Sequence, residues 1–437
     1  MASMLVAVPS HRNDRSARQV AAETTRGPAH AAQLGRTSVM RGVALGLTGV
    51  LAFGATAGAL GASQLTGNIQ TSDISGLTGD LEKPPPADAS AGEAQNILIL
   101  GSDFRGDENA DFAVAGVEGM RSDTAIVAHI SADRERVELV SIPRDSMVER
   151  PTCEMTDGST VAGGRSMFNS AFATGADYGG DLESAAGCAV KTVQETTGVY
   201  IDDFVIVDFA GFESMVDAIG GVPMCIPEAV DDPKADLVLD AGFQTLDGAD
   251  ALGYARARYS LGDGGDLSRI GRQQQLIAAT LSQVLSQNLL TDATGLYSFL
   301  DAATSSLTVS PGLSSVTDLT GLAYSLRSIR SGNISLMTIP TSPDPADPNR
   351  LVWTYEADEV WDKLATDTPL IEDATPVSDE ADPGTGGTTD DTSTEDGAGT
   401  TEAAAETADE TDTTDVGEEK EAGQEAFDLN DTTSTCE

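Results

Sequence analysis

Three short apolar runs within residues 96–145 constrain the fold most, because each meets a charged turn abruptly. The first, Asn96-Ile97-Leu98-Ile99-Leu100, stops at Gly101-Ser102-Asp103-Phe104-Arg105. The second opens at Arg121-Ser122-Asp123, and the third, Val137-Glu138-Leu139-Val140-Ser141-Ile142, closes on Pro143-Arg144-Asp145. Short apolar runs bounded by turn residues read as buried strands. In α/β sheets ligands sit just beyond strand ends, so charges gathered there are candidate site residues. Two carboxylates interleaved with arginines suggest a divalent cation and a phosphate-like anion held together. Strand capping and surface pairing would explain any one of these charges. Their recurrence at three strand ends favours a site.

The chain is long enough to bury a full core. Its net charge of −45 makes nucleic acid an unsuitable partner for the body of the protein. The acid is unevenly spread: from Asp367 onward roughly two dozen Asp and Glu face a single Lys420, amid Thr, Gly and Ala. Residues 366–437 are therefore expected to be a disordered acidic tail without site chemistry, having too little apolar surface to offset the entropy of ordering.

The other end is basic. Residues 1–41 carry Arg12, Arg15, Arg18, Arg26, Arg36 and Arg41, and 42–62 is uncharged and rich in Leu, Ala, Gly and Val. That length suits one transmembrane helix, and the charge asymmetry predicts a cytoplasmic N-terminus with the bulk of the chain outside the cell membrane. A cleavable signal peptide is the alternative, against which the long basic leader argues. Residues 63–93, with Pro84-Pro85-Pro86, read as a spacer, and 94–365 as the folded domain.

Four cysteines, Cys153, Cys188, Cys225 and Cys436, suit an exported chain, and none has zinc-site or Cys-x-x-Cys spacing. They permit three pairings; a Cys188–Cys225 clip between a helix and a strand is preferred, with Cys153 free or joined to Cys436. Periodicity predicts a helix over 182–197 capped by Gly198, a strand through Phe204-Val205-Ile206-Val207, and a helix ending at Gly220-Gly221. A strand over 222–226 follows, then a hairpin from 237–239 and 242–246, then a helix over 249–258. Alternating helices and strands favour an α/β domain in α-β-α layers.

A second polar centre follows. Arg256 and Arg258 end one helix, and Arg269, Arg272 and Gln273 share a turn of the next, with Arg269 and Gln273 on one face. Arginines in a helix's first turn are disfavoured by the dipole unless an anion is also there. Surface bridges to Asp247, Asp250, Asp263 and Asp266 are the competing explanation, each worth about 0–1 kcal/mol. His11, His30 and His129 supply no plausible triad, and no Walker loop or Gly-x-Ser-x-Gly is present.

Taken in order, these motifs resemble the extracytoplasmic domain of the LytR–CpsA–Psr family. The resemblance runs through Gly101-Ser102-Asp103-Phe104-Arg105, Arg121-Ser122-Asp123, Ser141-Ile142-Pro143-Arg144-Asp145 and Phe168-Asn169-Ser170-Ala171-Phe172. It continues through Asp208-Phe209, Gly220-Gly221-Val222, Leu246-Asp247-Gly248, Tyr254-Ala255-Arg256-Ala257-Arg258 and Asp266-Leu267-Ser268-Arg269-Ile270-Gly271-Arg272-Gln273. It implies a single domain with a central mixed sheet and a magnesium-dependent phosphotransferase. Such an enzyme moves a glycan from a polyprenyl pyrophosphate carrier onto a cell-wall acceptor such as peptidoglycan. It implies Mg2+ at Asp103 and Asp123, and pyrophosphate at Arg121, Arg144, Arg256, Arg258, Arg269 and Gln273. Arg144 and Arg256 would act at the reacting phosphate, with Asp145 the one candidate base. The lipid needs an apolar tunnel, expected beside the helix that begins near Arg272. Where many members carry a lysine two residues before the asparagine, this chain has Met167, leaving Arg165 as the substitute. A pyrophosphate hydrolase and a non-catalytic lipid-phosphate-binding regulator are the alternative functions.

Overall fold

A computed structural model describes residues 56, 61–85, 92–103, 120–257, 265–286, 293–371 and 420–431. The basic leader, nearly all of the expected span 42–62, Arg105, Arg258, Cys436 and 372–419 lie outside these residues. Among the described residues no helix is long and apolar enough to cross a membrane.

Eight strands form the central mixed sheet: β1 (Gln70–Thr71), β2 (Gln95–Ser102), β3 (Ser122–Ile130), β4 (Val137–Ser141), β5 (Asp203–Asp208), β6 (Leu307–Val309), β7 (Ile334–Thr338) and β8 (Phe427–Asp428). Their order across the sheet is β1-β6-β5-β2-β3-β4-β7-β8. The pairs β2–β5 and β4–β7 are parallel, while β2–β3 and β3–β4 are antiparallel. The central strands are apolar on both faces because both faces are covered, as expected for interior strands. Leu98, Leu100, Val127 and Val140 pack against α1 (Asn169–Gly179) and α2 (Leu182–Thr197). Ile97, Ile126 and Leu139 face the other way, with Ile277 and Leu281 of the later helix 266–286. This is the expected α-β-α layering.

Local rules set the helix ends. The Asp181 side chain accepts the Ser184 N–H at the start of α2, and Gly198 closes it at a φ of 71°. Asp208 caps α3 (Phe209–Ala218) and Asp247 caps α4 (Gly248–Arg256) in the same way. The helix α5 (Asp266–Ser286) then returns across the sheet, followed by α6 (Ala293–Ser305), α7 (Val316–Ser325) and α8 (Tyr355–Ala365).

Four expectations need correction. The spacer 63–93 is not free of the domain: β1 adds to the sheet edge with Gln70 opposite Thr308, and Leu65 is buried. Strands 237–239 and 242–246 do not pair with each other. Leu237–Leu239 pairs with Val230–Asp232, and Gly242–Leu246 with Val222–Ile226, which places Leu237, Leu239 and Leu246 in a shared cluster. The disulfide is Cys153–Cys188, not Cys188–Cys225. The arm that follows Asp145 lies across α2, where Cys153, Met155, Ala171 and Cys188 form a small buried cluster. Closing that 35-residue separation is worth about 2–4 kcal/mol. Cys225, in a different cluster's strand, is disulfide-bonded as well. Finally, the acidic tail is not structureless throughout. Its residues 420–431 return to the sheet, and β8 pairs antiparallel with β7. Phe427 is 1% exposed, Ala422 and Leu429 pack beside it, and at the start of the tail Leu370 packs on the core.

Candidate functional site

The sheet register gathers the charged strand ends at one edge. Ser102 of β2 lies opposite both Ser122 of β3 and Asp208 of β5, so Asp103 and Asp123 flank one junction. Ser141 of β4 pairs with Ile126, which carries Pro143-Arg144 to the same edge. The parallel strands β2, β4, β5 and β7 all end there, the crevice position expected for an α/β ligand site. The turn at Asp103 is held by its own backbone and carboxylate. Asp103 N–H donates to Arg121 O at 3.0 Å, and Arg121 N–H donates to Asp103 Oδ1 at 2.6 Å.

A cavity of about 890 Å³ opens at this edge. Asp103, Arg121, Asp123, Arg144, Arg256, Arg269 and Gln273 all line it, together with Asn169 and Asp208. The remaining lining is largely apolar, with Phe212 and Met215 of α3, Leu252 of α4, and Leu276 and Ile277 of α5. Two stretches more than a hundred residues apart in sequence therefore converge on a single pocket with a charged end and an apolar body.

Asp266 links the two stretches. Its carboxylate, 8% exposed, lies 2.6 Å from Arg269 Nη2 and 3.2 Å from Arg144 Nε. Arg144 Nη1 donates to Asp123 Oδ1 at 2.8 Å, and Arg269 Nη2 donates to the Asp123 carbonyl at 3.2 Å. Burial is the largest influence on Arg144 and weakens its hold on the proton. Asp123, Asp266 and Asp145 together outweigh it, so its pKa is raised. Arg256 behaves in the opposite way. Burial lowers its pKa, and Asp103, Asp123 and Glu213 only partly offset that. Its guanidinium lies 4.8 Å from the Phe209 ring centre, and among the described residues it forms no ion pair. A half-buried cation in that state is available to bind an anion. Gln273 Nε2 donates to Ala255 O at 3.3 Å, tying α5 to α4 beside Arg256.

Not every candidate reaches the cavity. Asp145 does not line it; its carboxylate is held between Arg350 Nη1 at 2.9 Å and Arg144 Nε at 3.6 Å. Arg165 pairs with Asp344 at 2.8 Å and does not line the cavity, so it does not substitute for the missing lysine at Met167. Arg272 is buried, and its Nη2 donates to Ala257 O, a structural role. His129 is fully buried between Asn96 Oδ1 at 2.7 Å and Asp367 Oδ1 at 3.1 Å, away from the cavity.

Three residues that matter were not on the sequence-derived roster. Asp266 opens one of the resembling motifs and is otherwise expected only as a surface-bridge partner; its place three residues before Arg269 is the signal for more. Asn169 lines the cavity and its N–H donates to Arg144 O at 3.2 Å. Arg350, 205 residues from Asp145, carries no local signal. The anion expected at the first turn of α5 is in part the chain's own, since the helix starts at Asp266.

Fold and cavity define a class: a layered α/β domain with an acid–arginine centre at the head of an apolar pocket. The chain belongs to the LytR_cpsA_psr family, which it matches over residues 63–366. It is 33% identical over 269 residues to the cell wall biosynthesis protein LcpA of Corynebacterium glutamicum, an alignment covering 58% of this chain and 51% of LcpA. It is 32% identical over 203 residues to TagU of Oceanobacillus iheyensis, named a polyisoprenyl-teichoic acid–peptidoglycan teichoic acid transferase, covering 46% of this chain and 55% of TagU. The chain thus spans about half the length of these curated relatives. Among solved structures, protein gbs0355 from Streptococcus agalactiae shares the fold, with a TM-score of 0.50 at 19% identity over 63% of this chain and 89% of that one.

Proposed function

We propose that this chain is a membrane-anchored phosphotransferase that moves a glycopolymer from a polyprenyl pyrophosphate carrier to a hydroxyl of the cell wall, peptidoglycan being the acceptor. One observation carries the reading: Arg144, Arg256, Arg269 and Gln273 meet Asp103 and Asp123 at the head of a single apolar cavity. The names of the relatives, a cell wall biosynthesis protein and a teichoic acid transferase, support it.

The residues fit a divalent cation. Asp103 and Asp123 are two carboxylates at adjacent strand ends of one cavity. Magnesium takes one or two carboxylates and completes its shell with water and phosphate oxygens. Bound there it would neutralise charge on the pyrophosphate. The chain's own groups do the rest. Arg256, desolvated and without an ion-pair partner among the described residues, binds a phosphoryl oxygen. Arg144 and Arg269, locked by Asp266, present guanidiniums that need not reorganise as charge develops. The acceptor hydroxyl attacks the phosphorus that carries the glycan, forming a P–O bond. The bond to the bridging oxygen breaks, and polyprenyl phosphate leaves with the electron pair while the hydroxyl proton passes to solvent or phosphate. Asp145, held between two arginines outside the cavity lining, orients Arg144 and takes no proton from the acceptor. The apolar body receives the first isoprene units.

The test is turnover of a lipid-linked glycan by the purified chain with magnesium, with and without a peptidoglycan fragment. A phosphodiester-linked glycan that forms only with the acceptor is expected. Release of free glycan phosphate at the same rate without acceptor would replace this reading with a hydrolase.

A further inference from the structure

Residues 420–431 come back to the sheet after a strongly acidic stretch, 372–419, that holds no lysine or arginine. They touch the opposite side of the helix that supplies Arg269 and Gln273. Phe427 is buried in the cluster that contains Ile277 and Leu281 of α5, and it pairs across from Leu336 of β7. Gly423 N–H donates to Gln274 Oε1 at 2.9 Å. The same Gln274, 1% exposed, donates through Nε2 to Ser141 Oγ at 3.1 Å and Thr338 Oγ1 at 3.2 Å. One buried amide thus joins β4, β7, α5 and the returning segment. The backbones approach so closely that only glycine fits. A Cβ on Gly271 would overlap the Ala422 carbonyl, and one on Gly423, at a φ of +88°, would lie 2.7 Å from Leu267 O. Lys420 and Asp431, 3.2 Å apart, close the segment on itself, and Ser331 Oγ donates to Asn430 Oδ1 at 2.7 Å.

We infer that residues 420–431 form an intramolecular clasp that holds α5 in the position from which Arg269 and Gln273 reach the cavity, with Gly423 and Gln274 as positioning residues. Its consequence for lipid binding rests on the function proposed above; the clasp itself does not. The clasp then needs residues 420–431 alone, and the sequence of 372–419 is dispensable. Four forms of the full chain test this: one ending at residue 419, one with 372–419 exchanged for a Gly/Ser linker of equal length, Gly423→Val and Phe427→Leu. Hydrogen exchange reads α5 against α2, and binding of a long-chain polyprenyl phosphate reads the site.

The chain ending at residue 419 and Gly423→Val should exchange at least tenfold faster across 266–286, with 182–197 unchanged, and bind the lipid at least tenfold more weakly. The linker exchange should match the parent, and Phe427→Leu should fall between the parent and Gly423→Val. If the shortened chain loses protection in 182–197 too, Gly423→Val decides. Equal protection of 266–286 in Gly423→Val, or equal damage from the linker exchange, would overturn the clasp. Faster exchange with unaltered lipid binding would overturn the positioning role. Absence of lipid binding by the parent chain strikes the proposed function instead, and the exchange comparison still decides the clasp.

Discussion

Asp266→Asn removes one charge from the point where the two halves of the site meet. The parent carboxylate is 8% exposed and shared by Arg144 and Arg269, whose side chains are 19% and 4% exposed. Stripping one partner from a buried ion pair costs about 3–5 kcal/mol, because it leaves uncompensated charge. Arg144 keeps Asp123 and Asp145, and the asparagine oxygen still accepts a hydrogen bond. A cost at or just below the bottom of that range, about 2–3 kcal/mol, therefore applies. For a domain of this size, at roughly 2–4 °C per kcal/mol, the melting temperature should fall by about 5–10 °C. A second effect separates this reasoning from ordinary core damage. The variant leaves an extra positive charge beside the cavity, so inorganic pyrophosphate should stabilise it more than the parent. At about 100 times its Kd, an anion recovers about 2.7 kcal/mol, most of the loss. Differential scanning fluorimetry with and without pyrophosphate, against sodium chloride at equal ionic strength, reads both effects. An unchanged melting temperature would refute the buried-hub argument. Recovery by chloride as large as that by pyrophosphate would refute the anion site.

Arg256→Ala should cut turnover about 10²–10³-fold, the usual loss when one preorganised donor to a developing anion is removed. Its melting temperature should stay level or rise, because burial, the main influence on Arg256, disfavours its charge in the fold. Steady-state kinetics and a thermal scan on one preparation check the pair of outcomes. At the far end of the sheet, burial alone would raise the Asp367 carboxyl, but the His129 and Ala132 hydrogen bonds and the charges of His129 and Arg136 hold its pKa below the ordinary value. Such a carboxylate stabilises the fold above its unfolded pKa, near pH 4, and loses that contribution as pH falls through the lower folded value. Asp367→Asn should therefore lower the urea midpoint at pH 7, and the gap to the parent should close below roughly pH 4 in a series of urea titrations.

Local signals made much of this molecule legible. Apolar runs stopped by charge marked β2, β3 and β4, and Gly198 and Gly220-Gly221 marked helix ends, because strand burial and capping are decided by neighbouring residues. The convergence of Arg144 with Arg256, Arg269 and Gln273 came through the order of the motifs together with the chemistry of arginine. The failures share a cause. The Cys153–Cys188 bond, the Arg350–Asp145 pair and the β7–β8 pairing join residues whose partners no local pattern names. Composition also misled at residues 420–431: an acidic, low-complexity context hid the phenylalanine that is buried against the sheet and the glycine that meets α5. Asp266 was visible but undervalued, because a sequence does not reveal that a helix's first acid is buried between two arginines.

The most direct measurement of the central claim is mass spectrometry of lipid extracted from the folded, purified chain and from its Arg144→Ala and Arg269→Ala variants. The account predicts a long-chain polyprenyl phosphate or pyrophosphate from the parent and little or none from the variants. Equal recovery from all three, or none from a parent that still shows its full thermal transition when offered the lipid, would contradict it.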